Sequence, residues 1–156
     1  MAIGALTPIT ATPTTSQAAT TPWGIFVGAQ WINANGQPQY TNYFPADGYT
    51  SYSAYGTITL MVCTDPDIRF KVRADGPITQ ARIGLNVQLG NFSAGSTVTG
   101  NSGVNAVASS VATTNTFGVK IIDIAAGPDN AAGDAYTDII CVWNQNVHAF
   151  RNILGA

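Results

Sequence analysis

Residues 67–76 read DIRFKVRADG, and their alternation decides the fold class. The apolar residues of this stretch are Ile68, Phe70 and Val72, and the basic ones are Arg69, Lys71 and Arg73. A period of two is typical of a β-strand that buries one face and exposes the other. The Asp-Gly pair at 75–76 predicts a turn at the end of this strand, because both residue types favour turn conformations.

Other segments show the same strand character. In residues 23–32, one predicted face carries Trp23, Ile25, Val27 and Ala29. The Asn-Gly pair at 35–36 predicts a hairpin that returns antiparallel to this strand. Further strands are predicted over 57–63, which is expected to be buried, over 81–89 with Ile83, Leu85, Val87 and Leu89 inward, and over 116–125 and 137–144.

Three segments do not show a clear strand pattern. Residues 91–103 are rich in Gly, Ser and Thr and are interpreted as a long loop. Residues 104–112 have apolar side chains at 104, 107, 108 and 111, which predicts one short helix. Residues 147–154 are interpreted as a last strand or a tail.

About eight short strands at intervals near 8–12 residues, without helical segments between them, predict an all-β protein. We expect a single-domain antiparallel β-barrel or jelly-roll-like sandwich over residues 23–156. Residues 1–22 contain no charge, seven Thr and three Pro, so we interpret them as an extended N-terminal arm. Such an arm is either a flexible tail or a segment that becomes ordered along a neighbouring subunit.

Charge is scarce in this chain. Charged residues make up 9% of it, against about 25% in an ordinary soluble domain. The net charge of −2 argues against nucleic-acid binding, which normally requires a basic surplus. The sequence contains neither an apolar run of membrane-spanning length nor the features of a secretory signal peptide. We therefore expect a protein made in the cytoplasm, with no membrane partner and a surface suited to burial against another protein.

The residue types do not indicate an enzyme. The one histidine, His148, lies beside apolar Val147 and Phe150 and is interpreted as structural. The chain has no glutamate, which disfavours a pair of catalytic carboxylates. Phosphate-binding, zinc-binding and dinucleotide-binding motifs are also missing from the sequence. We predict no catalytic residue, no cofactor and no metal.

The segment 123–138 is the best candidate for a cation site. Its oxygen-bearing side chains of the kind that bind calcium are Asp123, Asp129, Asn130 and Asp134. Their spacing does not match an EF-hand, and turns require the same residue types, so we favour the turn interpretation. Cys63 and Cys141 each lie in an apolar run and are predicted to be buried free thiols.

Two groups of residues are candidates for contacts with other proteins. The first is the basic row formed by Arg69, Lys71 and Arg73, whose side chains repeat about every 6.6–6.8 Å along one face of a strand. This row suits docking to an acidic surface, although it would also protect an exposed strand edge or simply remain solvated. The second group is in the loop 45–56: Tyr49, Tyr52 and Tyr55, which either make contacts or pack back over the sheet.

Four segments resemble a family of tailed-bacteriophage virion proteins that are encoded beside the major capsid protein. They are WGIFVGAQWINANGQPQYTNYFPA (23–46), DPDIRFKVRADGPIT (65–79), GSTVTGNSGV (95–104) and GPDNAAGDAYTDIICVWNQNVH (127–148). Together they lie between residues 23 and 148. The chain departs from the family pattern at Thr64, where the pattern has an acidic residue, and at Arg73, where it has Gln.

The resemblance implies a capsid cement or decoration protein on the outside of an icosahedral phage head. Its partners would be the major capsid protein and further copies of itself, as a dimer or trimer. It would be assembled in the host cytoplasm and located on the capsid exterior of the virion. The alternative is a carbohydrate- or receptor-binding β-module of a virion, supported by the tyrosine loop and by exposed-tryptophan candidates Trp23, Trp31 and Trp143.

Overall fold

The computed structural model of the protein describes residues 22–33, 35–43, 58–93, 95–96 and 98–151. These residues are mostly β, as the alternation predicted, with two short 3-10 helices at Gln80–Arg82 and Ala108–Ser110. The strands are β1 (Ile25–Ile32), β2 (Pro38–Thr41), β3 (Thr59–Cys63), β4 (Phe70–Arg73), β5 (Asn86–Val87), β6 (Leu89–Ser93), β7 (Gly103–Ala106), β8 (Val119–Ile124) and β9 (Asp138–Trp143).

The described strands form three antiparallel sheets. A three-stranded sheet has the order β2-β1-β3, a four-stranded sheet has the order β4-β9-β8-β5, and β6 and β7 form a two-stranded sheet. None of the described sheets closes into a barrel. Strand β4 is an edge of the four-stranded sheet, and β3 is an edge of the three-stranded sheet.

The main core lies on one face of the four-stranded sheet. The two apolar residues of β4, Phe70 and Val72, point into it, as the alternation in DIRFKVRADG predicted. The other strands of this sheet contribute Val87, Val119, Ile121, Ile139, Cys141 and Trp143. Leu89 of β6 and Ala106 of β7 also belong to this core, so the two-stranded sheet covers part of the face. Burial of these side chains is the main favourable contribution to folding.

Strand β1 changes faces at a β-bulge. Its register with β3 shifts between Phe26 and Gly28, which leaves Val27 without a partner and 46% exposed. Because a bulge adds one residue to the strand, Ile25 joins the main core whereas Ala29 and Trp31 lie on the same face as Phe26. The prediction that Ile25, Val27 and Ala29 share one face was therefore wrong.

The β1–β2 hairpin was predicted correctly from Asn35-Gly36. Gly36 has φ 78°, a conformation that favours glycine. The Asn33 side chain accepts hydrogen bonds from the backbone N–H groups of Asn35 (3.0 Å) and Gln37 (2.9 Å). These bonds fix the turn and thereby the pairing of β1 with β2.

Two predicted elements differ from the structure. Residues 104–112 are not one helix: β7 ends at Ala106, and a 3-10 helix occupies Ala108–Ser110. The Ser110 side chain donates to Val107 O (2.7 Å) and accepts from Gln88 N (3.0 Å), so side-chain hydrogen bonds compete with an α-helix here. The strand predicted over 57–63 is β3, but it is not buried: its first two residues are exposed and the rest are half-buried.

Three other predicted segments differ in part from the structure. The strand predicted over 81–89 is interrupted: a 3-10 helix ends at Arg82, Ile83 and Leu85 are half-buried, and only Val87 and Leu89 are fully inside. The loop predicted over 91–103 includes the end of β6 and the start of β7. Residues 147–151 form turns rather than a strand.

Candidate functional site

The basic row lies on the exposed face of edge strand β4. Lys71 and Arg73 are exposed while Phe70 and Val72 are buried, and exposed Arg69 precedes the strand and continues the alternation. The structure thus brings Lys71 and Arg73 together on one face, next to Arg69 in sequence. These three residues were predicted as contacts, and their exposure leaves them accessible to a partner.

Asp138 binds two of the three cations. Its Oδ1 accepts a hydrogen bond from Arg73 Nε (2.9 Å), and its Oδ2 lies 3.1 Å from Lys71 Nζ. Burial of Asp138 opposes its ionisation, but the hydrogen bonds and charges of Arg73 and Lys71 outweigh burial and hold the pKa of the carboxyl below its ordinary value. The Lys71 and Arg73 side chains remain 62% and 66% exposed. Ion pairs with such exposure contribute only about 0–1 kcal/mol each, so they bring the two cations beside Asp138 but add little stability.

The loop before β9 holds Asp138 in place. Asn130 Oδ1 accepts from Asp138 N (2.7 Å), and Asn130 Nδ2 donates to Asp138 O (2.9 Å). Thr137, which directly precedes β9, is fully buried and its carbonyl accepts from Ala74 N (2.8 Å), which ties the start of β9 to the end of β4. Because the backbone of Asp138 is bonded on both sides, its carboxylate is a rigid anchor for the cations of β4.

The exposed face of the four-stranded sheet extends beyond β4. Residues paired across an antiparallel sheet share a face, and Lys71 pairs with Ile140, while Val142 pairs with Lys120 of β8. Ile140 and Val142 are half-buried and Lys120 is exposed. By the same pairing, exposed Asp123 of β8 lies beside Ile140. We call the following set the outer face: Arg69, Lys71, Arg73, Asp138, Ile140, Val142, Lys120 and Asp123. It has an apolar centre between cations on β4 and the charged residues Lys120 and Asp123 on β8, which is the layout of many protein interfaces.

The sequence alone did not identify four members of the outer face. Asp138, Ile140, Val142 and Lys120 lie on strands that were predicted, but the pairing of those strands was not. The alternation in DIICVW, with Ile139, Cys141 and Trp143 on the core side, carried a signal for Ile140 and Val142. The position of Asp138 opposite Arg73 depends on register, which sequence periodicity does not determine.

No family model, no curated protein and no solved structure matches this chain.

In the segment 123–138, Asn130 and Asp134 use their side chains to stabilise turns. Asp134 Oδ2 accepts from Ala131 N (2.6 Å), whereas Asp123 lies in β8 and its Oδ1 accepts from Ile124 N (2.8 Å). Asn130 is bonded to backbone on both sides of the loop, including Ala125 O (2.6 Å). These contacts support the turn interpretation over calcium binding. Across the described ranges, no group of three or more His, Cys, Asp or Glu side chains is arranged to hold a metal ion.

The aromatic candidates divide into three cases. Tyr49, Tyr52 and Tyr55 lie outside the described residues. Trp31 and Trp143 are buried, at 7% and 2% exposure, so the expectation that they are exposed was wrong. Trp23 is 40% exposed and makes an edge-to-face contact with Phe150, with ring centroids 5.8 Å apart. Within the described part of the chain, only one of the three tryptophans is thus accessible to a sugar ring.

The remaining reactive side chains are structural. Cys141 is buried in the main core, and burial raises the pKa of its thiol to about 12. Cys63 is half-buried rather than buried, and both cysteines are free thiols. His148 is fully buried, and its Nδ1 accepts from Phe150 N (3.3 Å). Its Nε2 is buried without a hydrogen-bond partner.

Among the described residues, no helix has the length and apolar character needed to cross a bilayer.

Proposed function

We propose that this protein is a capsid cement or decoration protein. It would be a jelly-roll-like β-sandwich that binds the exterior of an icosahedral phage head and stabilises contacts between major capsid protein subunits. The observation that carries this proposal is the outer face, where cations paired with Asp138 flank the apolar centre formed by Ile140 and Val142. The resemblance to virion proteins encoded beside the major capsid protein supports the same conclusion.

The chemistry of the outer face indicates the kind of partner. Four of the six cations of the chain lie on the outer face, namely Arg69, Lys71, Arg73 and Lys120, and its acidic members are Asp138 and Asp123. A complementary surface would carry carboxylates around a small apolar patch.

The mechanism would be mechanical rather than chemical. A specific interface buries roughly 800 Å² per partner, and a protein lying across a seam between capsid subunits would gain such contacts on both sides. Once one contact has formed, the second becomes intramolecular, which raises the overall affinity. The bound protein would thereby oppose separation of the subunits under the pressure of packaged DNA.

Binding to expanded, empty capsids tests this proposal. We expect the protein to co-sediment with the capsids and to raise their melting temperature. Arg69→Glu should weaken binding about tenfold, which corresponds to about 1.4 kcal/mol, and should reduce the dependence of binding on salt. Arg69 suits this test because no acidic side chain of the described residues forms an ion pair with it.

Arg151→Glu is the matched control, since it makes the same change in charge at a residue that is not a member of the outer face. Arg151 is exposed and forms an ion pair with exposed Asp67, so its replacement should have little effect on folding. Equal losses of binding in the two variants would mean that the effect depends only on the net charge of the protein. Failure of the unaltered protein to bind capsids at all would contradict the proposed function.

A further inference from the structure

Strand β3 presents an open edge. It pairs with β1 on one side, and no described residue pairs with its other side. Its five residues, Thr59–Cys63, contain no charge and no proline. Leu60 is 42% exposed, and the last three residues are only half-buried. An edge of this kind offers unpaired backbone N–H and C=O groups to another strand.

The edges at β4, β2 and β5 carry features that oppose such pairing. Edge strand β4 has exposed Lys71 and Arg73, and the residue after it, Ala74, forms a parallel bridge to Ala106 of β7. Strand β2 contains exposed Pro38, which lacks a backbone donor. Strand β5 has only two residues, and its Asn86 exchanges backbone hydrogen bonds with Ala112 (2.8 and 3.0 Å). Strand β3 has none of these features.

We propose that β3 pairs antiparallel with β3 of a second copy, across a two-fold axis at Met61. This register uses all five residues of the strand: Met61 lies opposite the second Met61, Leu60 opposite Val62, and Thr59 opposite Cys63. The two edges are neutral, so pairing brings no like charges together. The same operation on β4 would place two basic rows side by side, which favours β3 as the self-association edge.

The pairing joins two three-stranded sheets into one sheet of six strands. Leu60 and Val62 lie on the same face as Ala29 and Phe26, with which they pair in β1. In the dimer, each Leu60 gains a neighbour in the second copy, Val62, and loses part of its exposure. A two-fold interface of this type closes on itself and gives a dimer rather than a chain of copies. This inference specifies the self-association expected of the proposed cement protein, but it does not depend on capsid binding.

Disulfide trapping in the full-length chain tests the register. With Cys63→Ser to remove the native thiol of β3, Met61→Cys should form a covalent dimer under mild oxidation. Cys141 should not interfere, because it is buried with a pKa of about 12. Cys63→Ser with Gln39→Cys is the matched control, since Gln39 lies on β2 at the opposite edge of the same sheet. We expect the Met61→Cys dimer to form at least about tenfold faster, and equal rates would overturn the proposal.

A charge exchange tests the pairing without covalent chemistry. Met61→Lys and Met61→Glu should each be monomeric by light scattering, because identical charges would lie opposite each other in the dimer. An equimolar mixture should dimerise again, because the two charges would then be opposite in sign. Recovery on mixing shows that both variants are folded. A mixture that stays monomeric, or unaltered protein that is monomeric at every concentration, would contradict the β3 dimer while leaving the capsid-binding test unaffected.

Discussion

The four-stranded and three-stranded sheets differ in how they are stabilised. One face of the four-stranded sheet belongs to a core of fourteen buried residues, and the opposite face carries cations paired with Asp138. The buried cluster of the three-stranded sheet consists of Phe26, Ala29 and Trp31, and its edge strand β3 is uncharged and half-exposed. The comparison indicates that the first sheet provides most of the buried core and has a charged exposed face, whereas the second has an uncharged strand edge that no described residue pairs with.

The largest expected effect concerns stability. Ile139 is fully buried in the main core, so Ile139→Ala should lower the free energy of unfolding by about 2–5 kcal/mol. Leu60 of β3 is 42% exposed, and Leu60→Ala should lower it by less than about 1 kcal/mol in the monomer. Urea denaturation at low protein concentration measures both values. Similar losses in the two variants would mean that the sheets do not differ in their contribution to stability.

Sequence periodicity predicted the strands that bury one face and failed where local hydrogen bonds intervene. The alternation of Phe70 and Val72 with the basic row predicted which side chains of β4 are buried, and the structure confirms this prediction. In residues 104–112 the apolar spacing also fits a strand followed by a 3-10 turn. Pairing with β6 and the hydrogen bonds of Ser110 favour that structure over a helix.

The candidate site was predictable only in part, because it combines residues from different strands. Arg69, Lys71 and Arg73 were visible as a row within one segment. Their anchor, Asp138, is 65 residues away from Arg73 along the chain, and only the β4–β9 register places it beside them. The bulge at Val27 is a similar case, since one extra residue reverses the faces of a strand without changing the composition of the segment.

The next expected effect concerns the junction between the two sheets. His148 follows β9 in the chain, and its ring lies 6.1 Å from that of Trp143. The neighbouring Ala149 N donates to Pro22 O (3.0 Å), just before β1. The fully buried side chain of His148 therefore belongs to the turn that contacts the start of the three-stranded sheet.

His148 should make the folded protein less stable in acid. Burial lowers the pKa of His148, the charge of Arg151 lowers it further, and Asp65 and Asp67 oppose the shift. Below its ordinary pKa of about 6.5, the unfolded chain binds a proton that the folded chain does not, so stability should fall as the pH drops until the folded-state pKa is passed. The slope from this residue is at most about 1.4 kcal/mol per pH unit. Denaturation curves between about pH 7 and pH 5 measure it.

His148→Gln separates this effect from general acid sensitivity, because glutamine keeps a polar side chain but does not titrate. The variant should show a smaller loss of stability over the same pH range. An unchanged pH dependence in the variant would mean that other groups cause the loss of stability and that His148 at the junction does not contribute to it.

The central claim is that the outer face of the four-stranded sheet contacts the capsid, and the lysines of the chain test it directly. The protein has two lysines, Lys71 and Lys120, and both are exposed on the outer face. Amine acylation followed by mass spectrometry compares their reactivity in the free and capsid-bound protein. The account predicts that both lysines become protected on binding. Equal acylation of both lysines in capsid-bound and free protein would contradict it.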